Sequence, residues 1–258
     1  MPTPIYVVDA FTGKPFSGNP AAVCVLESEA DPLWMQSVAA EMKHAETAFV
    51  RRIFEGFELR WFTPTVEVDL CGHATLASAH VLWSSGRHPI DLSIAFQTRS
   101  GTLTASKGSL IQLDFPKEAP AYEELPFPIP NLAPTWTGKN RMDWIIEVES
   151  ENEVRTFEPE FESIANLGMR GLQITSRGEG EYDFISRFFA PAAGVDEDPV
   201  TGSAHCCLGP YWGAKLGKSK LHAFQASPRG GVVDVVLLEN RVLLLGEATT
   251  VLEGQLTC

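Results

Sequence analysis

Basic residues are scarce in this 258-residue chain: 20 lysines and arginines face 33 aspartates and glutamates, a net charge of −13. No basic stripe exists to neutralise phosphates, so nucleic acid and anionic membranes are excluded as partners. Cysteine is equally sparse. Its five positions (24, 71, 206, 207 and 258) follow no spacing of a disulfide framework or a zinc site. Free thiols in a reducing compartment are the expectation, and no metal is expected. No apolar run approaches the ~18–20 residues of a membrane span, and Met1-Pro2-Thr3-Pro4 lacks the basic and apolar segments of a signal peptide. The expected location is the cytoplasm. Phosphate loop, dinucleotide fingerprint and nucleophile elbow are all missing. Any chemistry is therefore expected to be acid–base work by side chains, with no cofactor.

What the chain does contain, it contains twice. Arg60-Trp61-Phe62-Thr63-Pro64 returns as Arg187-Phe188-Phe189-Ala190-Pro191, an offset of 127 (187 − 60). Each copy ends a strand-like run and leads through an acidic loop to a small turn, Gly72-His73-Ala74 or Gly202-Ser203-Ala204, followed by a helix-like segment. A duplicated strand–loop–helix unit implies two similar halves facing one another across a cleft. It also supplies two helix N-termini, whose unsatisfied backbone N–H groups suit an anion. The expected ligand is a small acid.

Strand patterns dominate both halves and helices do not alternate with them one to one, so the class is α+β. Asp31-Pro32 predicts a helix start, with Leu33, Trp34, Val38 and Met42 at helical spacing to about Lys43. Residues 47–53 and 57–62 read as paired strands, Gly72 to Trp83 as a helix stopped by Gly86, and 92–97, 101–106 and 110–115 as short strands. Six prolines between Pro116 and Pro134 rule out a central strand or helix interior there, and read as a connection. Beyond it come strands at 144–149, 171–175 and 182–189, a helix around 159–167, the second key helix from Gly202, and strands at 232–238, 242–245 and 251–256. The expected division is residues 1–116, completed by about 250–258, a connection at 117–134, and a second half at 135–249.

The candidate site residues lie at the two turns and at one strand start. His73, in the first turn after Gly72, has a pKa suited to proton transfer. Asp198 is held extended by Pro199, and Glu197 beside it is balanced between a helix-end acid and a functional one. Ser203 can cap its helix or bind a substrate oxygen. Glu46 opens the apolar run Thr47-Ala48-Phe49, where a buried carboxylate is costly unless paired or used; a solvated edge-strand position is the competing reading. His73 and His80 share a helix face without a third ligand nearby. A Cys71/His73 nucleophilic pair lacks an orienting acid at any recognisable spacing. Arg229, in the turn Ser227 to Gly231, is open between a structural and an acid-binding role.

Together, Asp9 to Thr12, Phe16 to Val23, Glu46 to Phe49, Arg60 to Thr75, Asp183 to Pro191, Glu197 to His205 and Ser227 to Gly231 resemble the blocks of the phenazine-biosynthesis PhzF-like family, which has the diaminopimelate epimerase fold. The wording around Arg60 to Ala77 is similar to its MAWD-binding protein branch. The resemblance implies two pseudo-symmetric halves, each a curled, mostly antiparallel sheet around a central helix, with the active site between them. It implies a cofactor-independent isomerase in which Glu46 is the general base, and Asp198, His73 and Ser203 place the substrate and shuttle the proton. Gly72, Gly202 and Asn19 become the substrate-binding residues, and a homodimer is implied. The alternatives are an amino-acid epimerase or racemase, and a non-catalytic binding protein on the same fold. Epimerases of this fold use one cysteine from each half. This chain has Cys71 in the first half but Thr201 in the second, and a hydroxyl is too weak an acid or base to replace a thiol. Two-thiol racemisation is therefore not expected, and Cys71 reads as a small buried residue.

Overall fold

The computed structural model describes residues 2–258. The chain forms two compact units, one comprising the chain up to Asp114 together with Leu245–Cys258, the other Phe115–Leu244. Residues 117–134, expected as a connection, belong to the second unit, and 245–249 to the first.

The first unit contains β1 (Thr3–Ala10), β2 (Asn19–Leu26), α1 (Pro32–Met42), β3 (Glu46–Ile53), β4 (Gly56–Phe62), β5 (Glu67–Val68), α2 (Gly72–Ser84), β6 (Ile94–Thr98), β7 (Gly101–Lys107) and β8 (Ile111–Pro116). The second contains β9 (Ala121–Tyr122), β10 (Trp136–Lys139), β11 (Asp143–Glu147), α3 (Glu151–Thr156), α4 (Phe161–Ala165), β12 (Gly171–Arg177), β13 (Phe184–Ala190), β14 (Val195–Asp198), α5 (Gly202–Leu216), β15 (Lys220–Gln225), β16 (Gly231–Leu237) and, as far as Leu244, β17 (Arg241–Gly246). The last strand, β18 (Ala248–Leu256), returns to the first unit and pairs antiparallel with β1.

The pairing pattern is the same in both units. β1/β2 and β10/β11 are antiparallel, β2/β3 and β11/β12 parallel, β3/β4 and β12/β13 antiparallel. β4/β6 and β13/β15 are parallel, and β6/β7 and β15/β16 antiparallel. Each unit thus has a mixed, mostly antiparallel sheet with one principal helix, α2 or α5. Ten residues of α2, including the polar His73, Thr75 and Ser78, are buried, as expected for a helix enclosed on all sides rather than one with a solvent face. On α5, Gly209 and Gly213 admit Val235 and Leu237 so closely that a Cβ would lie 2.6 and 2.3 Å from them.

Local signals held where their chemistry was local. Asp31 caps α1, its carboxylate accepting from the Leu33 N–H at 2.9 Å, with proline at the first helical position. Lys43 takes the left-handed conformation that ends that helix. The predicted helix around 159–167 is observed as the short α4, while α3, at Glu151–Thr156, was not expected. α3 starts on Ser150, whose hydroxyl accepts from the Glu153 N–H in a capping arrangement the sequence reading passed over. The strands β10 and β15 were also missed.

Candidate active site

The repeated arginines turn out to be scaffold. Arg60 forks onto Glu67 (2.7 and 2.8 Å) and Arg187 forks onto Glu197 (2.7 and 2.8 Å). Each guanidinium also lies over the aromatic ring two residues on, Phe62 at 5.3 Å and Phe189 at 4.9 Å. The fork ties each strand to the loop that leads into the principal helix. Glu197 is therefore a structural partner of Arg187 and not an acid at a helix end. The register makes the two units directly comparable. Thr47 pairs with Phe62 and Leu172 with Phe189, one residue beyond Glu46 and Gly171; Phe62 pairs with Glu67, while Phe188 pairs with Asp198.

In the first unit, Glu46 opens β3, a strand flanked by β2 and β4, so it occupies no sheet edge. Its side chain is 18% exposed and one oxygen lies 3.3 Å from His73 Nε2. That contact is close enough for an ion pair but not aligned as a hydrogen bond. On the other side of the ring, Nδ1 lies 3.5 Å from Cys71 Sγ. His73 is buried, and loss of hydration, with His44 adding a smaller repulsion, pushes its pKa down to about 3. The imidazole is therefore neutral at pH 7. The order Cys71–His73–Glu46 supplies the orienting acid that sequence spacing did not show, because Glu46 reaches the ring from a strand 27 residues earlier (73 − 46). Donor atoms of the three side chains lie within 4.8 Å of one another, a set that suits a thiophilic divalent cation. His80, on the same helix face as His73, is not part of this cluster and meets Thr250 at 3.0 Å. Asn19, at the start of β2, is buried.

In the second unit, the Thr201 hydroxyl donates to the Asp198 carboxylate at 2.5 Å. Buried Gln225 clasps the same loop: its amide NH₂ donates to the Asp198 carbonyl at 2.6 Å, and its carbonyl accepts from the Thr201 N–H at 2.8 Å. Ser227 ties its own turn to this loop by donating to the Pro199 carbonyl at 2.8 Å. Ser203 is not the cap of α5. Its Oγ accepts a hydrogen bond from Arg170 at 2.9 Å. The N-cap positions of α2 and α5 are Cys71 and Thr201, and neither side chain makes a capping bond, unlike Asp31 and Ser150. The first turns of α2 and α5 thus lack the side-chain cap that Leu33 and Glu153 receive in α1 and α3. Arg170 and Gln225 carried no sequence signal. Neither sits in a recognisable motif.

The chain matches the family described as phenazine biosynthesis-like protein (PhzC-PhzF) over residues 8–254. It belongs to that family. An uncharacterized isomerase of Halalkalibacterium halodurans is 53% identical, with 99% of each chain covered. The phenazine biosynthesis-like domain-containing protein of Homo sapiens is 41% identical over the full length of both chains. A crystal structure of a PhzF-family protein from Enterococcus faecalis has a TM-score of 0.94 at 38% identity, again covering both chains fully. The diaminopimelate epimerase-like, α+β architecture expected from the sequence is the one observed. Among the described residues, no helix is long and apolar enough to cross a membrane.

One buried group in this family member makes a direct pH test. His205, four residues into α5, donates Nδ1–H to the Thr201 carbonyl at 2.8 Å, the place taken in α2 by the Thr75 hydroxyl on Cys71. Burial lowers its pKa from 6.5 to about 4. The unfolded chain therefore binds more protons between those values. Stability from this group is fully present above pH 6.5 and is lost as pH falls towards 4, by on the order of 3 kcal/mol. Thermal midpoints measured from pH 7.5 to 4.5 should fall less steeply in His205→Asn than in the wild type; equal slopes would remove His205 as a cause.

Proposed function

We propose that the protein is a cofactor-independent isomerase that moves a carbon-bound proton in a small carboxylate-bearing cyclic or unsaturated substrate. The observation that carries the reading is the largely buried Glu46 carboxylate placed 3.3 Å from the buried His73 ring. Glu46 takes the proton from carbon, the electron pair spreads into the adjacent conjugated system, and a proton returns at another carbon, so that the net change is a shifted double bond. His73, Asp198 and Ser203 help place the substrate and return the proton. The names of the relatives, isomerases and phenazine biosynthesis-like proteins, support this reaction class.

Epimerisation by two thiols is not supported, since the position of the second thiol holds Thr201, whose hydroxyl is engaged by Asp198. The test is proton NMR in deuterated, chelator-treated buffer with trans-2,3-dihydro-3-hydroxyanthranilate as the probe. Isomerisation with deuterium entering at carbon is expected, and Cys71→Ala should retain it. Loss of turnover in Cys71→Ala, with the fold intact by circular dichroism, would move the chemistry to the thiol.

A further inference from the structure

The second unit holds a charged pair that the proton chemistry does not use. Asp143, the first residue of β11, is completely buried. Arg170 grips both its oxygens, Nε on Oδ1 at 2.9 Å and Nη2 on Oδ2 at 2.5 Å, and Gln173 adds a bond to Oδ2 at 3.3 Å. The same Nη2 donates to Ser203 Oγ at 2.9 Å. Beneath the guanidinium, 5.2 Å away, lies the ring of Phe188. Gly171 makes room for that ring, because a Cβ there would stand 2.7 Å from Phe188 Cζ. Arg170 is thus held by charge, by a fork and by stacking, each of which restricts its guanidinium plane.

The consequence falls on Ser203. A guanidinium only donates, so Ser203 Oγ is the acceptor in this bond and its own hydrogen is directed elsewhere. A serine hydroxyl that elsewhere rotates to suit its neighbours is here set as a donor. The corresponding positions of the first unit carry different side chains. Gly171 matches Glu46 and Ser203 matches His73, so the second unit lacks the carboxylate and carries a hydroxyl in place of the imidazole.

We propose that Arg170, anchored by Asp143, is the positioning residue that fixes Ser203 as the hydrogen-bond donor to a carboxylate oxygen of the substrate. This rests on the small-acid isomerase reading and names the group that recognises the acid. The test compares binding of 3-hydroxyanthranilate with that of its neutral amide by calorimetry. The variants are Asp143→Asn/Arg170→Gln, Ser203→Ala, the triple combination, Arg170→Lys and Glu46→Gln. The double variant removes both charges together, so no buried carboxylate is left without its partner.

The wild type and Glu46→Gln should prefer the acid by about tenfold or more, the double variant by less than about threefold. Adding Ser203→Ala to the double variant should change little further, because coupled residues act non-additively. Arg170→Lys, which keeps the charge but loses the fork, should recover part of the preference. An acid preference that persists in the double variant overturns the role of Arg170 and leaves the small-acid reading standing. Additive losses from Ser203→Ala and the double variant overturn the positioning of Ser203. No preference in the wild type overturns the small-acid reading, and the role of Arg170 falls with it.

Discussion

Glu46→Gln is expected to lower turnover of the probe by about 10²–10⁴-fold, the range by which a positioned general base accelerates proton transfer. Glutamine has nearly the same shape and can keep a contact with His73 Nε2, so folding and ligand affinity should stay close to the wild type. It has no lone pair basic enough to take a proton from carbon. The loss should therefore fall on kcat, with KM changed little, which is the pattern of an interaction made only in the transition state. Solvent deuterium should disappear from carbon in parallel. Turnover and exchange at the wild-type rate in Glu46→Gln would remove Glu46 from the mechanism, whatever its place beside the imidazole.

Arg187→Met is expected to lower stability by about 3–5 kcal/mol. The Arg187 side chain is only 9% exposed and its partner Glu197 only 15%. Besides the fork, its Nη1 donates to the Phe157 carbonyl at 2.7 Å and more weakly to Val154. Methionine replaces the stem but strands a nearly buried carboxylate and two carbonyls. With about 2–4 °C of midpoint per kcal/mol for a protein of this size, the thermal midpoint should drop by roughly 10 °C. Arg60→Met should cost clearly less. Its pair is also nearly buried, but Glu67 keeps a second cation, Arg99, at 2.6 Å. Adding Glu197→Leu to Arg187→Met should restore part of the loss, since no unpaired charge then remains. A denaturant series showing equal, small losses at Arg60 and Arg187 would contradict this account.

These two predictions separate what is duplicated from what is not. The Arg60–Glu67 and Arg187–Glu197 forks occupy matching positions and build the same corner twice. The residues proposed for chemistry fall where the copies differ: Glu46 against Gly171, His73 against Ser203, Asp198 against Val68. Repetition in the sequence thus follows the scaffold, and the proposed site residues fall at the breaks in repetition. Glu197 illustrates the distinction. Adjacent to Asp198 and of the same charge, it cannot be told apart by pattern, yet one belongs to the fork and the other faces Thr201.

By itself the sequence determined the α+β class, the duplication, the helix starts at Gly72 and Gly202, and the family, because strand and helix periods, caps and glycine turns act over a few residues. Tertiary structure alone decided the partners. Glu46 meets His73 because a strand start and a helix start, 27 residues apart, are brought to one place. Arg170 meets Asp143 because parallel pairing of β11 and β12 sets Asp143 opposite Gly171. Such contacts arise from register and burial, which depend on the whole sheet. No local spacing encodes them.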